Sequence, residues 1–472
     1  MAEIEPWNTS PSNAAGPAAG PVALGPWWCW IVILAIVIFM NVRGCVFTEN
    51  SPIVEQTFAG DPAADQPPAD FQFTLQARYL VGARAVARAL NQDTSQFAIA
   101  ADDLHRVVLG AGSPADQLRW AAVAGELQGS QEALDDLHVW MEGHPSHAVL
   151  QEDARTLLAV YRDGPNSLPL EQRSALLQRH GWFAKLALAH GLEPGTPLRR
   201  DAIAPAQRVT VVLLLAIVGV VSLTGIGFLL LILAIVLLVL GKIQFRYPDV
   251  SRLSSPGRGA FLEAFTLYLG SYLGISIAAV FIPWLLPLAL LTPLAALWPL
   301  CRGVSWQQLR LGLGWTRGRG VVREVLAGAV GYVSGLPLIA VAVLLTLLLT
   351  LFAQPGEGVH PIVELAQDAS ILNIIILYGL ACVWAPLVEE MFFRGAFYHH
   401  MRQRTGFVVS ALVVGVIFAS IHPQGWVGLP ALTAIAFVLA SIREWRGSLV
   451  ASVTAHALNN GAAVTLLLLL LA

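Results

Sequence analysis

A group of polar side chains stands inside long apolar runs near the end of this 472-residue chain. In chain order they are Glu389, Glu390, Arg394, His422, His456 and Asn460. An Asp or Arg at the centre of a membrane helix costs about 2.5 to 3.5 kcal/mol on insertion scales, so such residues are candidates for function. A carboxylate beside an imidazole can act as general base on a water, and an amide can donate to an oxyanion. These residue types indicate hydrolysis of an amide bond.

The spacing of the residues predicts how they divide these tasks. Glu390 and Arg394 are four residues apart, as are His456 and Asn460, so each pair shares one face of a helix. Glu389 points about 100° away from Glu390 around the helix axis. We therefore expect Glu390 to form an internal ion pair with Arg394, while Glu389 faces a cavity.

A depth estimate predicts that four of these side chains meet. They are Glu389, His422, His456 and Asn460. At 1.5 Å of rise per residue, they lie about 15 to 24 Å from the basic ends of their helices. We therefore expect a site inside the membrane that is reachable from the cytoplasmic side.

Each element taken alone also has a structural explanation. The ion pair could be purely structural, His422 could be an interfacial histidine, and His456 and Asn460 could serve hydrogen bonding between helices. Their order along the chain and their matched depth favour a site instead. The adjacent His399 and His400 suit no single helix face, and we expect them in a juxtamembrane loop.

The composition excludes an ordinary soluble globular protein. Hydrophobic residues make up 56% of the chain and charged residues 12%, whereas soluble proteins average about 25% charged. Nucleic-acid binding is not expected, because no basic stripe lies in the water-soluble half. The four cysteines form no CxxC pair, which leaves neither a disulfide framework nor a zinc knuckle supported.

The first half of the chain predicts an anchor, a linker and a soluble domain. Residues 1–26 are rich in Pro, Ala and Gly, and we expect them to be disordered. Residues 27–42 form an apolar run without a basic region before it, which favours a membrane anchor over a cleaved signal. Residues 43–208 predict a Pro-rich linker and then a soluble α-helical domain. Its helical segments are 75–90, 117–141, 149–162 and 171–188.

The second half predicts a polytopic transmembrane bundle, because its apolar runs approach or exceed the roughly 20 residues that a helical crossing needs. After a first segment at 209–240, the crossings are 261–300 (two, hinged near Pro283 and Pro287), 325–352, 371–397, 407–422, 427–442 and 449–471. The fold class is therefore all-α, with an N-terminal anchor and an inserted soluble helical domain.

Lys and Arg residues indicate which ends of these crossings face the cytoplasm. They cluster at 242–258, 302–323, 394–404 and 443–446, and the positive-inside rule makes every cluster cytoplasmic. Whether segment 209–240 crosses once or twice stays open, with a possible turn at 222–227. One crossing would put the soluble domain outside the cytoplasm and two would put it inside. The arginines before this segment favour the inside.

Three short motifs carry a family resemblance. They are Glu389-Glu390-xxx-Arg394, Phe418-xxx-His422 and His456-xxx-Asn460. In this order they resemble the signature of the CPBP family, also called the Abi family, which includes CAAX proteases and bacteriocin-processing enzymes. The resemblance covers about residues 259–472 and implies an intramembrane peptidase domain there.

The resemblance to type II CAAX prenyl proteases also implies roles for the residues. Glu389 and His422 would activate a water, and His456 and Asn460 would stabilise the oxyanion. The supporting residues would be Glu390, Arg394 and Phe418. We expect no cofactor, because the chain has no HExxH motif; zinc held by Glu389, His422 and His456 is the alternative.

The expected function is that of an intramembrane endopeptidase of the glutamic type. Its expected partners are the lipid bilayer and a membrane-associated protein or peptide substrate, which can be lipidated. We expect a multi-pass protein of a bacterial plasma membrane. The alternative is a non-catalytic membrane scaffold or an immunity protein against bacteriocins. A transporter is less supported, because the sequence has no internal repeat.

Overall fold

The computed structural model describes residues 25–46, 70–247, 259–352, 366 and 370–471. Nearly all of the expected disordered segment 1–26 and of the Pro-rich linker lies outside these residues. Every regular element in the described ranges is helical. The helices of the first half are α1 (Trp27–Val46), α2 (Phe71–Ala89), α3 (Gln96–Ala111), α4 (Pro114–Leu127), α5 (Ser130–Gly143), α6 (Ala148–Asp163) and α7 (Leu170–Leu188).

Helices α2 to α7 form a domain with its own hydrophobic core. Helix α4 lies at the centre, and residues such as Leu118 and Trp120 are buried on its successive faces. Ser113 caps α4 by accepting a hydrogen bond from the Asp116 backbone N–H at 3.1 Å. The single periodic segment predicted at 117–141 is two helices instead. Gly129, with φ of 118°, breaks it in a conformation that other residues rarely adopt.

Helix α8 (Pro197–Val239) joins this domain to the membrane bundle as one continuous helix of 43 residues. At 1.5 Å per residue it is about 64 Å long, which is enough for one crossing and an extension of several turns beyond the bilayer. Its first turns pack on the soluble core through Ala206. The turn considered at 222–227 is not present, because the helix runs through it; segment 209–240 is therefore part of a single helix long enough for one crossing.

The membrane bundle contains the remaining long helices. They are α9 (Ala260–Phe281), a 3₁₀ helix (Pro283–Leu297) that ends in the short turn Trp298–Cys301, α10 (Trp306–Leu313), α11 (Val321–Thr350), α12 (Ile371–Arg402), α13 (Phe407–Ser420), α14 (Leu429–Arg446) and α15 (Leu449–Leu471). Within the described ranges, 7 helices are long and apolar enough to cross a membrane, and α1 and α13 are shorter apolar helices. The chain is a multi-pass membrane protein.

The 3₁₀ helix explains how two crossings fit into residues 261–300. Helix α9 ends at Phe281, and the chain bends at Ile282. The next 15 residues rise about 2 Å each in 3₁₀ geometry, or about 30 Å, so fewer residues reach across the bilayer. The predicted hinge near Pro283 is confirmed, whereas Pro287 lies inside the 3₁₀ helix.

Salt bridges gather the basic residues at one end of the bundle, which we call the basic end. Arg302 pairs with Glu263 at 3.0 Å, and Arg402 pairs with Glu444 at 2.8 Å. Arg446 pairs with the fully buried Glu324 at 2.7 Å. Two of these pairs join the starts of α9 and α11 to the ends of other segments, and the Arg402–Glu444 pair joins the ends of α12 and α14. The Lys and Arg clusters predicted from the sequence therefore lie at the same end of the bundle, as far as the structure describes them.

The soluble domain lies at the opposite end of the bundle. Helix α1 starts at the basic end, where Gly25 packs against His400. It ends on the other side, where Asn41 donates to the Ser420 carbonyl at 2.9 Å. Helix α8 then returns the chain to the basic end. If the basic end faces the cytoplasm, as the positive-inside rule predicts, this domain is on the other side of the membrane. Which side of the membrane holds this domain therefore stays a prediction.

The two adjacent histidines, His399 and His400, do not lie in a loop. They belong to the last turns of α12 and are almost fully buried. His399 Nδ1 lies 3.1 Å from the Tyr247 hydroxyl, and the His400 ring packs against Trp30. The expectation failed because the helix continues to Arg402. Adjacent helical positions can then face two different neighbours.

Candidate active site

The helix that carries the glutamate pair is irregular at two places. Wide π-helical turns occupy Gly379–Trp384 and Met391–Phe397 of α12, on either side of the α-helical segment Ala385–Glu390. Pro386 has no backbone N–H and its ring crowds the carbonyl four residues earlier, which a wider turn relieves. Single π turns occur frequently at functional sites. The first of them gives Glu389 its position relative to α15.

A fully buried ion pair lies at the centre of the site. Arg394 Nη1 is 2.8 Å from Glu390 Oε1, and both side chains have 0% exposure. The guanidinium also lies over the Phe418 ring, 4.7 Å from its centre. The ion pair that the i,i+4 spacing predicts is therefore present. The two opposite charges compensate each other away from water. The carboxylate of Glu389 takes no part in this pair.

His456 contacts both glutamates from α15. Its Nδ1 is 3.0 Å from Glu390 Oε1, and its Nε2 is 3.7 Å from Glu389 Oε2. The first distance is that of a hydrogen bond, and the second is longer than one. Because a carboxylate accepts, Nδ1 carries the proton of that bond. The Glu389 side chain is 24% exposed, so it is free to contact a water or a substrate.

His422 follows the end of α13 and is oriented by the same helix. Its Nδ1 lies 2.6 Å from the Phe418 carbonyl, and the two rings are 4.3 Å apart. The carbonyl accepts, so Nδ1 donates and Nε2 remains available to accept a proton. Glu389 and His456 both lie within electrostatic range of His422. Phe418, which is also 6.1 Å from the His456 ring, therefore packs among all three motifs.

Asn460 is anchored to the first π turn. Its Nδ2 donates to the Ala381 carbonyl at 2.9 Å, and its Oδ1 accepts from Asn459 Nδ2 at 3.3 Å. Tyr332 of α11 in turn donates to Asn459 Oδ1 at 3.3 Å. The amide keeps one N–H besides the bond to Ala381. Asn460 is thus fixed on the helix that carries Glu389, and its second N–H is available to a ligand.

Sequence reasoning missed two tyrosines near Glu389. Tyr268 and Tyr272 lie on α9, which packs against the second π turn of α12, just after Glu389 and Glu390. Tyr268 stacks on Phe392 with ring centres 3.9 Å apart. The available signal was a pair of tyrosines four residues apart in an apolar helix. The contact of Asn460 with Ala381 had no signal, because a π turn cannot be recognised from residue types.

Glu389, His422 and His456 carry the donor atoms that a zinc ion would need. In the part of the chain that the structure describes, no group of three or more His, Cys, Asp or Glu side chains has the arrangement to hold a metal ion. His456 Nδ1 is engaged by Glu390. A His that binds zinc commonly donates its other ring N–H to a carboxylate, so Nε2 is the nitrogen of His456 left for a ligand, and zinc held by Glu389, His422 and His456 stays the alternative.

Comparison with known families gives a match at this site. Residues 371–462 match the family model described as type II CAAX prenyl endopeptidase Rce1-like. This stretch is similar to the CAAX-protease-like proteins of the CPBP family, which supports the resemblance carried by the three motifs. The match runs from α12 into α15 and contains all three motifs. The wider extent of the domain, from residue 259 to 472, stays a prediction. No curated protein and no solved structure matches the chain.

Proposed function

We propose that this protein is an intramembrane endopeptidase in which Glu389 activates a water. The observation that carries the proposal is the unequal placement of the two adjacent glutamates. Glu390 is fully buried and bound to Arg394 and His456, whereas Glu389 is partly exposed and has no hydrogen bond to either. A structural carboxylate beside an available one is the arrangement that general-base catalysis needs.

The first step is attack of water on the scissile carbonyl carbon. Glu389 takes a proton from the water, and Nε2 of His422 accepts a hydrogen bond that orients it. The proton on Glu389 then passes to the leaving nitrogen as the C–N bond breaks. Each proton removed from water is thus returned to a product, and no covalent intermediate with the enzyme forms.

The second requirement is stabilisation of the oxyanion. His456 donates from Nε2 and Asn460 donates from its second N–H, as preorganised donors in a site that excludes bulk water. Because Nδ1 of His456 already donates to Glu390, donation from Nε2 requires a proton on both nitrogens. The two glutamates, Arg394 and the doubly protonated His456 then have a total charge of zero. A neutral set of charges is the least unfavourable one to bury.

The depth of the site indicates the substrate class. Glu389 lies 13 residues, or about 20 Å, from Arg402 at the basic end, and His456 lies about 10 Å from the start of α15 there. A scissile bond must therefore enter the membrane, which favours a membrane-associated protein, lipidated or not. We further propose that the substrate enters from the basic end, which the positive-inside rule places in the cytoplasm.

The Glu389→Gln variant tests this function, because it removes the base and keeps the side-chain volume. We expect cells with this variant to lose membrane-protein fragments that cells with the wild type produce. Glu193→Gln, an exposed change in the soluble domain, is the control and should leave the fragments unchanged. If Glu389→Gln inserts normally and retains full function, the protein acts as a scaffold or immunity factor.

Metal dependence is tested on the purified protein. We expect 1,10-phenanthroline to leave peptidase activity unchanged, because the proposed mechanism needs only Glu389, the two histidines and Asn460. Activity that disappears with the chelator and returns with zinc would replace the glutamic mechanism with a metal mechanism.

A further inference from the structure

Helices α8 and α11 approach closely at one point and then separate. At Gly227 of α8, an added Cβ would lie 2.1 Å from the Val333 carbonyl oxygen of α11, so only a glycine permits this approach. Toward the basic end the two helices enclose a cavity of about 520 Å³ together with α14. The cavity is lined by most of the residues in 230–238, by parts of 330–338 and 437–445, and by Ile243, Phe245 and Phe407.

The walls of this cavity suit a hydrocarbon chain. Its lining is Leu, Ile, Val, Ala, Gly and Phe apart from Ser334, Ser441 and Trp445. The Ser334 hydroxyl donates to the Val330 carbonyl at 2.8 Å, and the Ser441 hydroxyl donates to the Phe437 carbonyl at 2.7 Å. Both donors are thus satisfied within their own helices. Trp445 lies at the basic end, where amphipathic rings meet lipid headgroups.

Residues 242–247, which follow α8, cover the basic end of the cavity. Alternate side chains of this segment face the cavity and the outside. The backbone N–H groups of Arg246 and Tyr247 donate to the Glu444 carbonyl, each at 3.1 Å, which ties the segment to α14. Ile243 and Phe245 line the cavity, whereas the alternate residues Lys242 and Arg246 are exposed. An extended segment points successive side chains to opposite sides. Two exposed cations therefore belong to the segment that covers the basic end of the apolar cavity.

We propose that this cavity binds one acyl chain of an anionic phospholipid whose phosphate lies at Lys242 and Arg246. The apolar walls select hydrocarbon, and the two cations select a negative headgroup in the leaflet of the basic end. No lining residue belongs to α12 or α15, which carry Glu389, His456 and Asn460. The lipid site is therefore separate from the proposed peptidase site, and its test does not depend on proteolysis.

Native mass spectrometry of the purified full-length protein tests the headgroup preference. The probe is an equal mixture of phosphatidylglycerol and phosphatidylcholine with the same acyl chains. We expect the wild type to retain phosphatidylglycerol about tenfold better, because each nearby Lys or Arg adds to the attraction for anionic lipid. The double variant Lys242→Gln/Arg246→Gln should lose this preference. Arg317→Gln/Arg323→Gln changes the same charge at exposed sites outside the lining and should keep it.

A second pair of variants tests the cavity itself. Ala234→Trp places an indole in the cavity and should reduce retention of both lipids, while Ile232→Trp, on the same helix but outside the lining, should not. Equal retention by Ala234→Trp and wild type would overturn the proposal, as would a wild type with no headgroup preference.

Photolabelling of the wild type decides the site even if Ala234→Trp fails to fold. Phosphatidylglycerol with a diazirine near the end of one acyl chain should label peptides within 230–238, 330–338 or 437–445. Labelling confined to other helices would overturn the proposal.

Discussion

His456 holds the two adjacent glutamates in different ways, with Nδ1 3.0 Å from Glu390 Oε1 and Nε2 3.7 Å from Glu389 Oε2. One ring thus completes a buried structural network with one nitrogen and faces an accessible carboxylate with the other. Arg394 completes the same network from the next turn of α12. The contacts of α15 with α12 therefore determine both the stability of the network and the position of the proposed base.

Neutralising Glu389 and Glu390 in turn should separate the effect on catalysis from the effect on fold stability. Glu389→Gln should abolish turnover with little change in thermal unfolding, because its side chain makes no ion pair with Arg394 in the structure. Glu390→Gln should destabilise the fold by about 3 to 5 kcal/mol, because it leaves Arg394 buried and unpaired. Thermal unfolding in detergent and a peptide-cleavage assay measure the two effects. Equal stability of both variants would contradict the assigned structural role of Glu390.

Removal of the Asn460 amide should slow the reaction. Asn460→Ala should lower turnover by about 10² to 10³, as expected when one oxyanion donor is lost. Asn459→Ala is the neighbouring control: it removes the donor to Asn460 Oδ1 but no proposed oxyanion contact. We therefore expect a much smaller effect from it. A normal rate in Asn460→Ala would leave Asn460 only the task of holding Ala381.

The sequence could predict the ion pair of the site because it is local. Glu390 and Arg394 lie four residues apart on one helix, so their contact depends on helix geometry alone. The depth estimate could bring His456 near the glutamates, because rise per residue is nearly constant. It could not show that His456 contacts both of them, since the rotation of α15 against α12 depends on packing between helices.

The difference between contacts within one helix and packing between helices also explains which features of the fold the sequence could not predict. Apolar length predicted the crossings well, but it could not decide between one and two crossings at 209–240. The structure shows one continuous helix through this segment, and that helix packs Gly227 against Val333, more than 100 residues away along the chain. His399 and His400 were misplaced for a similar reason, because their burial is due to partners from α1, α9 and the segment after α8.

The close approach of α8 and α11 predicts that replacing two nearby glycines by alanine changes the melting temperature by very different amounts. Gly227→Ala should lower the melting temperature, because its Cβ would meet the Val333 backbone oxygen and neither backbone can move cheaply. Gly225→Ala has open space at the same helix and should leave the melting temperature unchanged or slightly higher, since Ala favours helix over Gly. Similar melting temperatures for the two variants would show that the helices do not touch there.

The single crossing of α8 predicts opposite sides for two exposed positions. In a variant without native cysteines, Glu171→Cys lies in the soluble domain and Arg317→Cys lies at the basic end. A membrane-impermeant thiol reagent added to intact cells should label Glu171→Cys at once, and Arg317→Cys only after permeabilisation. Labelling of both from the same side would require α8 to cross twice.

Acid should weaken the soluble domain through Asp153. Burial alone would raise the pKa of this carboxyl, but hydrogen bonds from His180 and Arg179 outweigh it and hold the pKa below its ordinary value of 3.8. The bonds to His180 Nε2 and Arg179 Nε are 3.0 and 2.9 Å long. A carboxyl with a lower pKa in the folded state stabilises the fold fully above its unfolded pKa. That stabilisation disappears as the pH falls below 3.8 through the folded pKa.

The Asp153→Asn variant isolates this effect. At pH 7 we expect it to unfold more easily than the wild type, because Arg179 loses its ionic partner. The difference should narrow as the pH falls from 5 toward 2, because the wild-type carboxyl becomes protonated and resembles the amide. Denaturant unfolding of the full chain, followed by the fluorescence of the soluble-domain Trp182 against a Trp182→Phe control, measures the difference. A gap that stays constant over this range would mean that Asp153 does not change its charge there, and the stabilisation would then come from packing.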